Sequence, residues 1–238
     1  VSRTRPVTTS RPGDLRGTLR KGDVLLVEGN TRISSAVKYL TQSTWSHAAF
    51  YVGNALAPLG RGDHPHMLIE ADVNEGVRAV PLSHYEDFHT RICRPVGLND
   101  AETEAVIAFM IASLGHQYDL KNIFDLARYL IQKPPVPDLM RRRLLAFGSG
   151  DPTRAICSTL IAEAFQSVNY PILPEVVGER LNDPSRIQAY NEILHIRHHS
   201  LFTPRDFDIS PYFKIVKPRL EKGFDFHQLH WDQSRPQG

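Results

Sequence analysis

Two side chains in this sequence could together carry out acyl transfer: the thiol of Cys157 and the imidazole of His47. Cys157 opens an apolar segment, 156–165, whose spacing predicts an amphipathic helix after the glycine and proline breakers at 148–152. Unpaired backbone N–H groups at a helix N-terminus favour a thiolate. His47 stands near the start of a predicted strand, 46–52. An imidazole beside a thiol can take or give the proton during acyl transfer, so the pair predicts a nucleophile and its base.

A carboxylate is needed to fix the tautomer and orientation of such a histidine. Glu70 and Asp72 stand two residues apart on a predicted strand, 67–72, and therefore on the same face. Either side chain could accept from the far nitrogen of His47. The residues alone leave this choice open.

A developing oxyanion needs hydrogen-bond donors. The backbone N–H groups of Cys157 and Ser158, at the start of the predicted helix, are the obvious supply. The hydroxyl of Tyr118 is a second candidate, and ordinary packing of that tyrosine is the alternative interpretation.

The remaining metal-ligating side chains form no convincing site. The chain has two cysteines, and Cys93 lies in a predicted strand, where a buried apolar role is expected. His64 and His66 stand in a loop, whereas His195 and His199 have the helical spacing of a metal pair without a third ligand. We therefore expect no disulfide, no metal and no other cofactor.

Composition excludes several classes of function. The 238 residues carry a formal net charge of +2, which implies no attraction to nucleic acid. No run of about 18 apolar residues is present to span a membrane. The absence of a signal-peptide pattern slightly favours the cytoplasm, although the first residue is Val1 rather than Met, so earlier removal of a leader is the alternative.

The order of elements predicts an α+β domain in which an antiparallel sheet is packed by helices on one side. A flexible basic arm is expected at 1–19, the folded unit at 20–218 and a tail at 219–238. The predicted strands are 23–27, 46–52, 67–72, 76–80, 89–96 and 211–216, and the predicted helices are 33–40 with Thr31 as its cap, 101–114 with Asp100 as its cap, and 156–168.

A helical insert is predicted at about 119–150. Its apolar part, 120–147, has proline residues in the middle and a basic face near its end. Ordinary helical packing is one interpretation. The other is an apolar flap that lines an acyl or lipid pocket or contacts a membrane surface.

A set of short motifs occurs in a familiar order. They are Gly22-Asp23, Ser46-His47-Ala48, Ile69-Glu70-Ala71, Tyr118-Asp119, Cys157-Ser158-x-Leu160 and Thr203-Pro204. This pattern, over roughly 22–216, resembles the circularly permuted branch of the NlpC/P60 papain-like superfamily, in particular the YiiX/YebB-like hydrolases. The resemblance implies a permuted papain-like fold, an antiparallel sheet or small barrel packed against the helix that bears the cysteine. It also implies a triad in which Cys157 is the nucleophile, His47 the base and Glu70 the orienting residue.

The expected function is thiol-dependent hydrolysis of an amide bond, peptide or N-acyl, through a thioester intermediate. The expected substrates are small peptides, amino-acid amides or acylated molecules. One alternative is a lipid acyltransferase or phospholipase of the LRAT-like type, whose Asn-Cys-x-x-Phe pattern differs from the 156–160 segment of this chain. A non-catalytic binding module is the other alternative, and the presence of all three triad residue types argues against it.

Overall fold

The computed structural model describes residues 12–60, 64–72, 75–117, 156–180, 190–195, 202–225 and 227. Tyr118, the predicted insert at 119–150 and most of the tail lie outside these residues. Within the described residues, no helix has both the length and the apolar character needed to cross a bilayer.

Strands and helices are mixed along the chain. The strands are β1 (Val24–Glu28), β2 (His47–Gly53), β3 (Met67–Asp72), β4 (Gly76–Pro81), β5 (His89–Pro95), β6 (Glu175–Arg180), β7 (Tyr190–His195) and β8 (Phe213–Val216). The helices are α1 (Pro12–Thr18), α2 (Arg32–Thr41), α3 (Asp100–Ala112), α4 (Ile156–Gln166), α5 (Pro204–Ile209) and α6 (Pro218–Glu221), with a 3₁₀ turn at Leu82–Tyr85. The predicted α+β class is confirmed.

Within the described residues, six strands form one antiparallel sheet in the order β4-β3-β2-β1-β5-β8, and β6 and β7 form a separate pair. β1 is central because it is an almost continuous run of buried apolar residues, which suits a strand covered on both faces. The register places Val27 of β1 between His47 of β2 and Thr90 of β5. These three positions therefore lie side by side at one end of the sheet.

One face of the sheet packs against α3 and α4. Leu26, Phe50 and Ile69 alternate with residues of the other face and join Ile107 and Phe165 in a single buried cluster. The rings of Phe50 and Phe165 meet edge to face at 5.9 Å. This packing fixes the helix that bears the cysteine against β2 and β3.

The opposite face is also covered. Leu25, Tyr51 and Leu68 form a second buried cluster with Leu15 of α1 and Tyr85 of the 3₁₀ turn. The sequence predicts helices on one side only. The difference arises because the second cover consists of two very short elements, which carry little periodicity to detect.

Residues 12–19 differ from the expected flexible arm. They include helix α1, in which Leu15 is 2% exposed, and Leu19 follows it at 8%. Arg16 forms a bidentate pair with Glu86 at 2.6 and 2.9 Å. Two leucines at i and i+4 spacing lie on one helical face, and their burial holds this segment to the sheet.

Two predicted helix starts can be compared with the structure. The side chain of Thr31 accepts from the N–H of Ser34, so the predicted cap of α2 is confirmed. At α3 the predicted cap was wrong, because Asn99 rather than Asp100 caps the helix and forms a reciprocal capping box with Glu102.

Candidate active site

His47 is the first residue of β2, and its position is set by close backbone packing just before it. The N–H of Ser46 donates to the carbonyl of Val27 at 3.1 Å, and the Ser46 hydroxyl accepts from the N–H of Gly29 at 2.9 Å. A Cβ atom at Gly29 would lie 2.2 Å from the hydroxyl oxygen of Ser34. Glycine is therefore needed for the close approach of the α2 start to the His47 strand.

Cys157 lies in the first turn of α4 and is 4% exposed. Its sulfur interacts with the His47 imidazole and with the backbone N–H of Ala48, the residue after His47, and both interactions favour the thiolate. The packing of α4 against β2 thus brings the predicted nucleophile and the predicted base into contact across 110 positions of the chain.

Glu70, in β3, contacts the other side of the imidazole. Its Oε2 lies 2.9 Å from His47 Nε2, and its side chain is only 1% exposed. Because Nε2 faces the carboxylate, Nδ1 is the ring nitrogen left for the sulfur of Cys157. Asp72, the alternative, accepts from the N–H of Glu75 at 3.0 Å and lies 3.7 Å from Arg78. The carboxylate that contacts His47 is therefore that of Glu70.

Two further residues hold the Glu70 carboxylate, and the sequence reasoning missed both. Arg78 Nε donates to Oε1 at 2.9 Å, and the hydroxyl of Tyr85 donates to Oε2 in a short hydrogen bond. A signal for Arg78 was present, because the predicted strands 67–72 and 76–80 are three residues apart, and antiparallel pairing of their facing ends places Arg78 directly opposite Glu70, as the structure shows. No comparable signal marks Tyr85, because this residue lies in the 3₁₀ turn that follows β4 and not in the β3–β4 hairpin itself.

Charges in the cluster favour a thiolate beside an imidazolium. Burial by itself lowers the pKa of His47, but the adjacent Cys157 sulfur and the Glu70 carboxylate raise this pKa to about 10. Burial opposes ionisation of Cys157 as well, yet the His47 cation and the N–H of Ala48 bring the thiol pKa below its usual value. Burial also raises the pKa of Glu70. The hydrogen bonds from His47, Tyr85 and Arg78 have the opposite effect and outweigh burial, so the pKa of Glu70 is lowered to about 2.

Of the residues predicted to supply oxyanion donors, Cys157 and Ser158 belong to the described part of the chain. Ser158 is fully buried, and its hydroxyl oxygen lies 3.9 Å from the Cys157 sulfur. The N–H groups of Cys157 and Ser158 belong to the first turn of α4, where backbone donors have no partner within the helix. Tyr118 lies outside the described residues, so its predicted contribution stays a prediction.

The other residues considered from sequence lie elsewhere. Cys93 is a free, fully buried thiol in β5, and burial raises its pKa. His66 Nδ1 lies 2.6 Å from the hydroxyl of Tyr51. His199 and the side chain of His195 fall outside the described part of the chain. Within that part, no three metal-ligating side chains are close enough to hold a metal ion.

Replacement of Tyr85 by phenylalanine tests whether its hydroxyl positions Glu70. We expect thiol reactivity at pH 6 and amide hydrolysis to fall about tenfold, since one donor to a buried carboxylate contributes roughly 1–2 kcal/mol. The acidic limb of the pH–rate profile should move to higher pH, because the loss of that donor raises the pKa of Glu70. Tyr39→Phe, at a tyrosine that is 38% exposed, is the matched control. An unchanged acidic limb would leave Tyr85 with a packing role alone.

Comparison with known proteins shows which family and which solved structure this chain is similar to. No curated protein matches the chain. A solved structure with similarity is the crystal structure of metalloprotein yiiX from Escherichia coli O157:H7, at 15% identity and a TM-score of 0.49, covering 83% of this chain and 96% of that chain. The model of the permuted papain-like amidase family, YaeF/YiiX, C92, matches residues 18–129, a span that contains His47 and Glu70 and ends before Cys157. The resemblance indicated by the motifs of this chain is thus confirmed, since residues 18–129 match the model of the permuted papain-like amidases.

Proposed function

We propose that this protein hydrolyses an amide bond with Cys157 as nucleophile, His47 as proton carrier and Glu70 as the orienting carboxylate. The observation that carries the proposal is the position of the His47 imidazole between two acidic groups, the Glu70 carboxylate at 2.9 Å and the Cys157 thiol, which interacts with the imidazole electrostatically. The family match supports a papain-like cysteine hydrolase in general terms. The assignment of roles to these three residues is our inference from their contacts and pKa shifts.

The first half of the reaction forms a thioester. The Cys157 thiolate attacks the carbonyl carbon, and the negative charge that develops on oxygen is stabilised by backbone N–H groups at the start of α4. When the C–N bond breaks, the His47 imidazolium gives its proton to the departing amine. Glu70 stabilises the imidazolium before this transfer and holds the ring in place.

The second half consumes water. His47, now neutral, takes a proton from a water molecule as its oxygen attacks the thioester carbonyl. Collapse of the tetrahedral intermediate breaks the C–S bond, so the carboxylic acid leaves and the sulfur returns as a thiolate beside an imidazolium. The proton balance closes because His47 gives one proton in the first half and gains one in the second.

Small amide substrates fit the exposure of the site. The His47 side chain is 24% exposed and Cys157 is 4% exposed, so in the described part of the chain solvent reaches one edge of the imidazole and little of the sulfur. A planar amide carbon can approach such a sulfur more easily than a bulky folded partner. We therefore include small peptides, amino-acid amides and N-acyl amines in the proposal.

Trapping of the acyl-enzyme tests the proposal. The protein is incubated with chromogenic anilides of acylated peptides, of single amino acids and of simple acyl groups, with a phospholipid as comparison. After an acid quench, mass spectrometry of the peptide that contains Cys157 should show the mass of the acyl group, and hydroxylamine should remove it. Anilide turnover without an adduct on Cys157, or release of fatty acid from phospholipid with no amine release from any amide, would overturn it.

A further inference from the structure

A surface pocket lies beside the β5 and β8 edge of the sheet and forms no part of the cysteine site. Its volume is about 370 Å³, which falls in the range of small-molecule pockets. It is lined by β5 residues 89–91, by the end of β8 and by the segment that follows β8 through α6. All of this lining belongs to the described residues.

The pocket combines an apolar wall with cations. Val216, Leu220 and Phe224 provide the apolar part. Leu220 is 57% exposed and Phe224 45% exposed, unusual values for large apolar side chains that stand together in a concave surface. Such exposure indicates a surface that gains free energy when an apolar group covers it.

The charged part of the lining is entirely positive. Arg91, Lys217 and Arg219 line the pocket, and no aspartate or glutamate is among its described lining residues. Arg91 is neutralised by Asp208 at 2.5 Å. Neither Lys217 nor Arg219 forms an ion pair with another described residue. Lys217 and Arg219, neither of which is in an ion pair with another described residue, thus stand beside the apolar wall, so the charge of the pocket complements an anion.

The pocket lies at the same end of the sheet as the cysteine site. Thr90, in its lining, pairs with Val27, which pairs on its other side with His47. Neighbouring strands are about 4.8 Å apart, so the backbones of Thr90 and His47 are separated by roughly 10 Å.

An aromatic residue connects the pocket wall to the start of β2. Trp45, two positions before His47, stacks on the ring of His89 at 5.2 Å, and the guanidinium of Arg91 lies 4.9 Å from the Trp45 ring centre. Trp45 Nε1 also donates to Asp208 at 3.0 Å. Because His89 and Arg91 line the pocket, a bound molecule that moves either side chain changes the environment of Trp45.

We propose that this pocket binds a carboxylate joined to an apolar chain. The carboxylate lies between Lys217 and Arg219, and the chain covers Val216, Leu220 and Phe224. The inference is independent of the proposed hydrolysis, because none of these residues contacts Cys157, His47 or Glu70 in the described structure.

Titration with octanoate, followed by the fluorescence of Trp45, tests the inference. Trp231→Phe leaves Trp45 as the one tryptophan, and an added Cys157→Ala makes binding independent of any hydrolysis. We expect saturable binding of octanoate and at least tenfold weaker binding of octanamide. Binding of hexanoate should be roughly 15-fold weaker, because it has two methylenes fewer and each buried methylene contributes about a factor of four.

Variants of the lining locate the bound molecule. Lys217→Gln combined with Arg219→Gln should weaken octanoate binding at least tenfold, and Leu220→Asp should weaken it further by repulsion and loss of apolar contact. Lys21→Gln, at an exposed lysine near the opposite end of β1, is the matched control and should leave binding unchanged. All these positions are exposed, and circular dichroism verifies that each variant is folded.

Three results would overturn the inference. Octanamide binding as tightly as octanoate would remove the need for a charge, and acetate or inorganic phosphate binding as tightly would remove the need for an apolar chain. Full affinity in the double lysine and arginine variant would place the molecule elsewhere. A failure of the acyl-enzyme experiment leaves this measurement unaffected, since binding is followed in protein that lacks Cys157.

Discussion

Replacement of Cys157 by alanine is expected to lower amide hydrolysis by about 10⁴-fold or more. Loss of a nucleophile removes the covalent route entirely, and what remains is the contribution of binding and oxyanion donors. The fold should persist, because alanine fits the space of a small buried side chain in the first turn of α4. The measurement is turnover of the best anilide from the substrate panel, together with thermal unfolding of the same protein.

Cys93→Ala is the matched control for this substitution. Cys93 is the other free thiol, fully buried in β5, with its pKa raised by burial. We expect the variant to lose roughly 1–2 kcal/mol of stability through a small cavity and to retain hydrolysis. Iodoacetamide at pH 6 should modify the native protein at Cys157 and not at Cys93. More than about 1% residual hydrolysis in Cys157→Ala would remove this thiol from the mechanism.

Replacement of Glu70 by glutamine is expected to lower hydrolysis by up to about 10⁴-fold, the loss found when the orienting carboxylate of a serine-protease triad is replaced by its amide. Glutamine has the same shape but no charge, so it no longer stabilises the His47 imidazolium. The pKa of His47 should fall from about 10 toward its ordinary value, and the pKa of the Cys157 thiol should rise because its cationic partner is weakened.

The pH dependence of alkylation measures this change directly. In the native protein the Cys157 pKa is lowered, so a larger share of this thiol is ionised than of a free cysteine, and we expect its alkylation at pH 6 to be faster than that of free cysteine. In Glu70→Gln the midpoint should move to higher pH, and the rate at pH 6 should fall at least tenfold. Asp72→Asn is the matched control, because it removes a carboxylate from the same strand that does not contact His47. A shift in the Asp72 variant and none in the Glu70 variant would reverse the assignment.

A buried carboxylate is tolerated at this position because, among the described residues, three strong donors bond to its oxygens. His47, Arg78 and Tyr85 all bond to Glu70, and two of these donors are cationic when His47 is protonated. An ionised side chain that is 1% exposed would otherwise be strongly destabilising. The same contacts that stabilise the fold around β3 and β4 therefore prepare His47 for proton transfer.

Local pattern was enough to predict the elements that carry the site. Strand β3, Met67–Asp72, was predicted with its observed bounds, and the bounds of β1, β2, β4 and β5 were predicted within one or two residues. The reason is that a buried apolar run, or an alternating pattern bounded by turn residues, is enough to define a strand. Short elements were missed. The β6–β7 pair, α1, α5 and α6 have too few residues for periodicity to stand out, and their formation depends on what they pack against.

By itself the sequence determined which residue types could do chemistry and where each stands on its own element: a thiol at a helix start, an imidazole at a strand start and a carboxylate inside a strand. Only the tertiary structure decided that Glu70, and not Asp72, contacts His47, and that Arg78 and Tyr85 hold this carboxylate. It also decided that Lys217 and Arg219 share a pocket with Leu220 and Phe224. The physical reason is that periodicity reports which face of an element is apolar, whereas contacts between distant segments depend on register and packing, which no local pattern encodes.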